Sequence, residues 1–355
     1  MPYISVGEPT NPTKADFDGV NFDYEYPYGL DLDPKSEFHE FLRTRIWQRA
    51  RESRLQISKR FDTWNEVDRT LTAYIPTDDK EKKIKNKDTR KPVSIVFPYT
   101  YSILESLLTY MTLAFFQDPM FQYEGVEDSD TIGAMLMEMV VRLDCIKTKV
   151  PLNIHTSIRD SLAYGIGVAI PGWEVKHGKV PVRSKVVTES ALGSQEENSV
   201  EFVDSKIFEG NKLTNIDPYM WLPDPSVSSN NIQDGEYVGW IDRQNNYMNM
   251  LSEEANPESG VFNVKYLEKV RNRRSSLALD QSDREKKIGG PNDYRRRLTD
   301  STNPVDNINM YINLIPKEWK LTDGEYPEKW IFRLSADDVI TECYRADHNH
   351  GLYPR

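Results

Sequence analysis

The side chains that could do chemistry in this 355-residue chain are few and scattered. It has five histidines, His39, His155, His177, His348 and His350. The last two sit in Asp347-His348-Asn349-His350. Histidines spaced by one residue can share an ion along a strand, but no second group of ligands lies nearby, and a surface turn before Gly351 explains the run as well. Asp217, Asp224 and Asp234 imitate the carboxylates of a metal-dependent nuclease. Asp217-Pro218 and Asp224-Pro225 are turn dipeptides first, and the turn reading is preferred. No Gly-x-Ser-x-Gly elbow is present, Gly165-Ile166-Gly167 follows a helical pattern instead of opening one, and no Gly-Lys-Ser/Thr occurs. The motifs of a serine hydrolase and of a P-loop ATPase are therefore absent, and no cofactor is expected.

One charge pattern stands out. Arg43, Arg45, Arg49, Arg51, Arg54, Lys59 and Arg60 crowd one stretch with a single acid, Glu52, whereas the whole chain carries a net charge of −11. A net acidic protein opposes wrapping of DNA, although an acidic wall can pass DNA loosely. The basic stretch reads as a contact for DNA backbone or for an acidic neighbouring subunit, or else as a solvated helix face; both stay open. Residues 1–37, with eight acids and two lysines, offer a partner of opposite sign. They read as an extended arm that docks on something, or as a disordered tail, although Phe17, Phe22, Tyr24, Tyr26 and Tyr28 are more aromatic than disorder prefers.

The elements that hold these groups follow from periodicity. Phe38, Leu42, Ile46, Ala50, Ile57, Phe61, Trp64, Leu71 and Ile75 keep a helical stripe, so 38–75 is expected to be one long helix, ended by Pro76. Residues 77–92 are a charged loop. Helices are expected at 94–117, closed by Asp118-Pro119; at 129–148, with Ser129 as N-cap and Ile132, Leu136, Met139, Val140 and Leu143 as a face; and at 151–165, closed by Gly165. The stretch from Ile95 to Phe116 has one charge, Glu105, and is long enough to span a bilayer. Its tyrosines, threonines and Ser102 make it too polar, and a buried helix fits better. No membrane partner is expected, nor a signal peptide.

The texture then turns to strands. Val168–Lys176 and Lys179–Thr188 read as a hairpin joined at His177-Gly178, followed by a polar loop at Ser190–Asn198. Val200–Glu209, Glu236–Arg243, Asn309–Ile315, Trp330–Leu334 and Val339–Arg345 read as further strands, with a short helix at Asn245–Glu254. Residues 271–307, with Arg271, Arg273, Arg274, Arg295, Arg296 and Arg297, read as a polar linker or mobile loop containing a basic helix. Helices first and strands after give an α+β class. The expected blocks are 1–37, 38–165 (helical), 166–270 (β-rich), 271–307 and 308–355. The two cysteines, Cys145 and Cys343, build neither a disulfide framework nor a zinc site.

A resemblance gathers these pieces. The run Asp160-Ser-Leu-Ala-Tyr-Gly165-Ile-Gly167 leads through a strand start to Trp173-Glu174, and resembles the helix-to-wing junction of tailed-bacteriophage portal proteins. About forty residues on, Asn215-Ile-Asp217-Pro218-Tyr-Met-Trp-Leu-Pro-Asp224-Pro225 is similar to the double Asp-Pro segment that follows the hairpin in that family. Glu236–Gln244 with its short helix, the early helix from Ser94 to Phe116, and Val339–Pro354 agree in order. The likeness covers about 38–355. It implies a non-enzymatic, portal-like ring subunit in the virion, in about twelve copies, at one capsid vertex. The partners it implies are the major capsid protein, the large terminase packaging ATPase, a neck or tail protein, and double-stranded DNA. Residues 38–355 would form mostly the wing. Portal subunits usually continue into stem helices, a clip, a tunnel loop and a crown, which nothing after Pro354 supplies, so a fragment is expected. The alternatives are a metal-dependent nuclease using His348 and His350, and a capsid or neck protein without a channel.

Overall fold

The computed structural model describes residues 17, 19–72, 97–117, 120–190, 193–242, 246–256, 259–270, 275–278 and 305–346. The loop at 77–92, the Asp118-Pro119 stop, the arginines of 271–307 and the run from Asp347 to Pro354 lie outside the described residues.

In chain order the elements are α1 (Glu37–Ile57), α2 (Phe61–Thr72), α3 (Tyr99–Phe115), α4 (Thr131–Lys147), α5 (Val150–Tyr164), β1 (Val168–Ser190), β2 (Gly193–Ile216), β3 (Trp221–Pro223), β4 (Tyr237–Asp242), α6 (Tyr247–Glu254), α7 (Leu267–Val270), β5 (Asn307–Leu314), β6 (Glu328–Ser335) and β7 (Val339–Arg345). The class is α+β, as the order of textures predicts. Two compact units form. The first comprises residues up to Ser106, Asp160–Ile166 and the chain from Ile216 on; the second comprises Leu107–Arg159 and Gly167–Asn215.

The first unit is built on a five-stranded antiparallel sheet in the order β3-β4-β5-β6-β7, a simple meander. Alternation selects its buried face. Ile308, Met310, Ile312 and Leu314 of β5 point one way, beside Trp330, Phe332 and Leu334 of β6, and all belong to one apolar core. Register pairs Met310 with Phe332 on one side and with Gly239 of β4 on the other. A Cβ on Gly239 would stand 2.2 Å from the Met310 sulfur and 2.6 Å from the Asn309 carbonyl oxygen, so only glycine fits beside that methionine. Helix α1 covers this face with Leu42, Ile46, Trp47 and Ala50, spaced three and four apart as one helical stripe requires. Ser36 caps α1 by accepting the His39 N–H at 3.1 Å.

The helix expected over 38–75 is two helices. A 3-10 turn at Ser58–Arg60 separates α1 from α2, although the backbone stays right-handed helical at Ile57 and Phe61. The later helices begin or end within a few residues of their expected bounds. Ser129 does not cap α4: it lies in a 3-10 turn at Asp128–Asp130, and Asp130 occupies the cap position without a side-chain bond to the helix backbone.

Residues 19–36 lie along this same unit. Tyr24 donates to Glu254 (2.7 Å), Tyr26 to the Asn263 side-chain oxygen (2.9 Å), and the Tyr28 ring meets Trp330 edge-on at 5.1 Å. Asn263 sits at φ 60° and donates to the carbonyls of Leu32 (2.8 Å) and Ile340 (3.2 Å), tying the arm to β7. Residues 19–36 thus dock on their own chain, through rings more than through acids.

In the second unit the strands differ from expectation. β1 runs unbroken through His177-Gly178 for 23 residues, and β2 absorbs the expected polar loop from Gly193 on. Gly178 is a place of close approach, not a turn: a Cβ there would come within 2.2 Å of Ile207 Cδ1. β1 and β2 pair only with each other, as a ribbon about 75 Å long.

Candidate assembly interface

The basic stretch of α1 is engaged inside the chain. Arg43 meets Asp338 at 3.3 Å. Arg45 stacks on Phe41, 4.4 Å from the ring centre. Arg49 grips Glu236 through two nitrogens, at 2.8 and 2.5 Å, over the Trp319 ring. Arg51 lies over Trp47. Arg54 is 1% exposed, donates to the Tyr219 carbonyl and lies over Phe61. Lys59, bonded to Gln56 at 2.7 Å, and Arg60 are the exposed members. Arg43, Arg45, Arg49 and Arg54 therefore tie α1 to other parts of the first unit through carboxylates, ring faces and a carbonyl, and Arg51 lies on a ring of α1 itself, so these five are not presented as a free basic face. Residues 19–36 of the acidic arm are also seated on their own chain.

The positions of the family-like motif fall at joints. Asp160 is buried near the end of α5, Gly165 ends that helix at φ 76°, and Gly167 precedes β1. Trp173, further along β1, is exposed. Asp217 caps the turn at Pro218 by accepting the Tyr219 N–H at 3.0 Å. Asp224, before the exposed Pro225, accepts the Ser226 N–H and hydroxyl (2.8 and 2.6 Å) and the Glu236 N–H (2.7 Å). Burial alone would raise its carboxyl; these bonds hold it below the ordinary range. Both aspartates are turn formers, and no group of three metal-ligating side chains occurs among the described residues.

The turn after Asp217 leads to a joint that sequence patterns did not reveal. Tyr219 is fully buried against Phe61, Trp64 and Tyr164, with ring centres 5.2–5.7 Å away. Its hydroxyl and that of Tyr164 both donate to buried Asp68, at 3.0 and 2.6 Å. Burial, with the Asp68 charge, pushes the Tyr219 hydroxyl well above its usual range. One carboxylate thus locks α2 to the end of α5 and to the double Asp-Pro segment. The signal was aromatic: Phe61, Trp64, Tyr164 and Tyr219.

The second unit shows the opposite condition. The expected face of α4 exists, but among the described residues nothing covers it. Ile132 is 72% exposed and Met139 65%, and Leu136, Val140, Leu143 and Ile146 are also open; Cys145 is the buried residue of that helix. α3 was expected to be buried, yet only Leu104 and Leu108 are; Tyr110, Leu113 and Phe115 stand in solvent. Beside α4 a hollow of about 250 Å³ opens among Phe116, Met120, Phe121, Cys145, Ile146 and Pro151. The ribbon adds Phe202, 67% exposed, with Val180, Val182, Val200, Val203 and Ile207. The bare side chains amount to an area on the order of 1,000 Å² or more, the size of a specific protein interface and well beyond the patches a monomer tolerates. Among the described residues, no helix is long and apolar enough to cross a membrane.

No protein-family profile matches the chain, and no curated protein matches it.

Proposed function

We propose that this protein is a structural subunit that assembles with copies of itself into a ring, in the manner of the portal protein of a tailed bacteriophage. The observation that carries the reading is the bare apolar surface of α3 and α4 in a chain whose five-stranded sheet and α1 form a well-packed core. A helix apolar on most sides belongs inside something, and here the described residues do not supply the cover. The ordered motifs from Asp160 to Pro225 support the portal-like choice among self-assembling proteins, and on that reading the ring would sit at a virion vertex. The major capsid protein, the packaging ATPase and a neck or tail protein would dock on it, and double-stranded DNA would pass through. The subunit would act by position, with catalysis left to the motor. Among the described residues the two motif aspartates are engaged in turns, which favours this reading over a nuclease.

Mass by light scattering and shape by negative-stain microscopy test the reading on the full-length protein. Rings with a central hole, near twelve copies, are expected. A stable monomer at micromolar concentration overturns it.

A further inference from the structure

We propose that Glu342, Arg333 and Glu253 form a proton-operated latch in the first unit: with one proton on the two carboxylates the last turn of α6 stays on the sheet and holds Tyr24 of the arm, and with that proton lost to water the turn opens. The latch stands whether or not copies assemble.

The cluster lies on the sheet face turned away from α1. Phe332 and Cys343 belong to the core that α1 covers, so Arg333 of β6 and Glu342 of β7, which pair in register, project to the other side with Asn309 of β5. One guanidinium nitrogen, Arg333 Nη1, meets both carboxylates, Glu342 at 2.5 Å and Glu253 at 3.3 Å. The Arg333 Nε donates to the Asn309 side-chain oxygen at 3.1 Å. The two carboxylates thus approach within about 6 Å of each other, a range over which like charges repel. Among the described residues no other cation pairs with either one.

With both acids ionised, the cluster holds one negative charge in excess around a buried carboxyl. The hydroxyls of Tyr311 and Tyr344 face the same carboxyl, and Asp242 of β4 acts on Arg333. A buried site relieves such an excess by holding a proton. Burial pushes Glu342 from 4.5 up to about 7, with Arg333 opposing and the Glu253 charge adding. Burial pushes both tyrosine hydroxyls up as well, so they stay protonated.

The movable partner is Glu253, whose side chain is 42% exposed. Tyr247 and Met250 fix the start of α6 in an apolar core, whereas its last turn is held by polar contacts. The Glu253 carbonyl accepts the Ser259 hydroxyl at 2.6 Å. Glu254 accepts the Tyr24 hydroxyl at 2.7 Å and the Val264 N–H at 3.0 Å. A charge on Glu342 repels Glu253 toward water and pulls on these bonds.

The sign follows from the raised carboxyl. Between pH 4.5 and about 7 the folded chain keeps a proton that the unfolded chain has released, so the closed latch is favoured below that window's upper end and weakens as pH rises through it. His39 of α1 titrates with the opposite sign, so its slope is read in the Glu342→Gln chain.

The test follows amide exchange of the full-length protein at about pH 6 and about pH 8.5, with rates corrected for the intrinsic effect of pH. Peptides covering 251–256 should exchange at least tenfold faster at the higher pH, while those of β5 should not change. In Glu342→Gln, which keeps the shape without the ionisation, the two pH values should give equal rates. Equal rates in the unaltered chain, or the same acceleration in Glu342→Gln, overturn the latch. Infrared spectroscopy of the unaltered chain reads the proton itself: the carbonyl band of a protonated carboxylic acid should be present at about pH 6 and fade near pH 7. Its absence at the lower pH also overturns the latch. Glu253→Gln removes the like charge and should shift that fading to higher pH values no longer, but to lower ones; an unshifted midpoint takes Glu253 out of the latch and overturns it.

Discussion

The two units solve the same problem in opposite ways. In the first, an apolar sheet face meets the apolar stripe of α1, and the arginines of that helix lie on rings and carboxylates of the same chain. In the second, a helix stripe of similar quality, from Ile132 to Ile146, and the flanks of a long ribbon face solvent. The strength of an amphipathic pattern therefore does not distinguish a core from an interface; what differs is whether the chain brings a complementary surface. The first unit closes its core with its own chain, and under the proposed assembly the second would be completed by association.

Substitutions can break this contrast from either side. The largest effect belongs to the closed unit. Phe332→Ala, at a fully buried site, should lower unfolding free energy by about 3–5 kcal/mol in denaturant titration. A smaller loss, about 1–3 kcal/mol, is expected for Tyr219→Phe, which removes one of the two hydroxyl donors to buried Asp68. Trp64 and Tyr164 fluorescence should report the loosened joint.

Acid should act on the closed unit through His39. Burial, with the nearby Arg43 charge adding, pushes its imidazole from about 6.5 down to about 3, and its Nε2 accepts the Ile340 N–H at 3.0 Å. Between pH 6.5 and 3 the unfolded chain binds a proton that the folded chain refuses. The contribution is complete above pH 6.5 and is lost as pH falls through this window, by roughly 1 kcal/mol per pH unit. Urea midpoints at pH 7, 6 and 5 should show it, and His39→Gln, which keeps an acceptor, should flatten the slope. The smallest effect on the single chain is expected in the open unit. Met139→Ala should change monomer unfolding by less than about 0.5 kcal/mol while weakening assembly. A large monomer loss there would mean that α4 is an ordinary core helix.

Much of the fold was legible because period is a direct imprint of burial. The strands at Asn309–Ile315 and Trp330–Leu334 and the helical stripe of α1 were legible as patterns, and the structure buries both in one core. The helix ends at Gly165 and the aspartate caps at 217 and 224 followed from local backbone chemistry. The ribbon was misread because His177-Gly178 has turn composition, while the need for that glycine comes from Ile207 on the facing strand, a long-range constraint that no local pattern carries. The basic cluster was legible as charge but not as contact. Arg45 and Arg49 meet Trp319 and Arg49 meets Glu236, all far away in sequence. The face of α4 was legible as apolar; that it is open among the described residues could be seen only once their contacts were known.

Hydrogen–deuterium exchange of residues 131–147, compared between monomeric and assembled fractions of the full-length protein, tests most directly whether the second unit is completed by association. Exchange at least tenfold slower in the assembled fraction is the predicted result. Equal rates in the two fractions would contradict it.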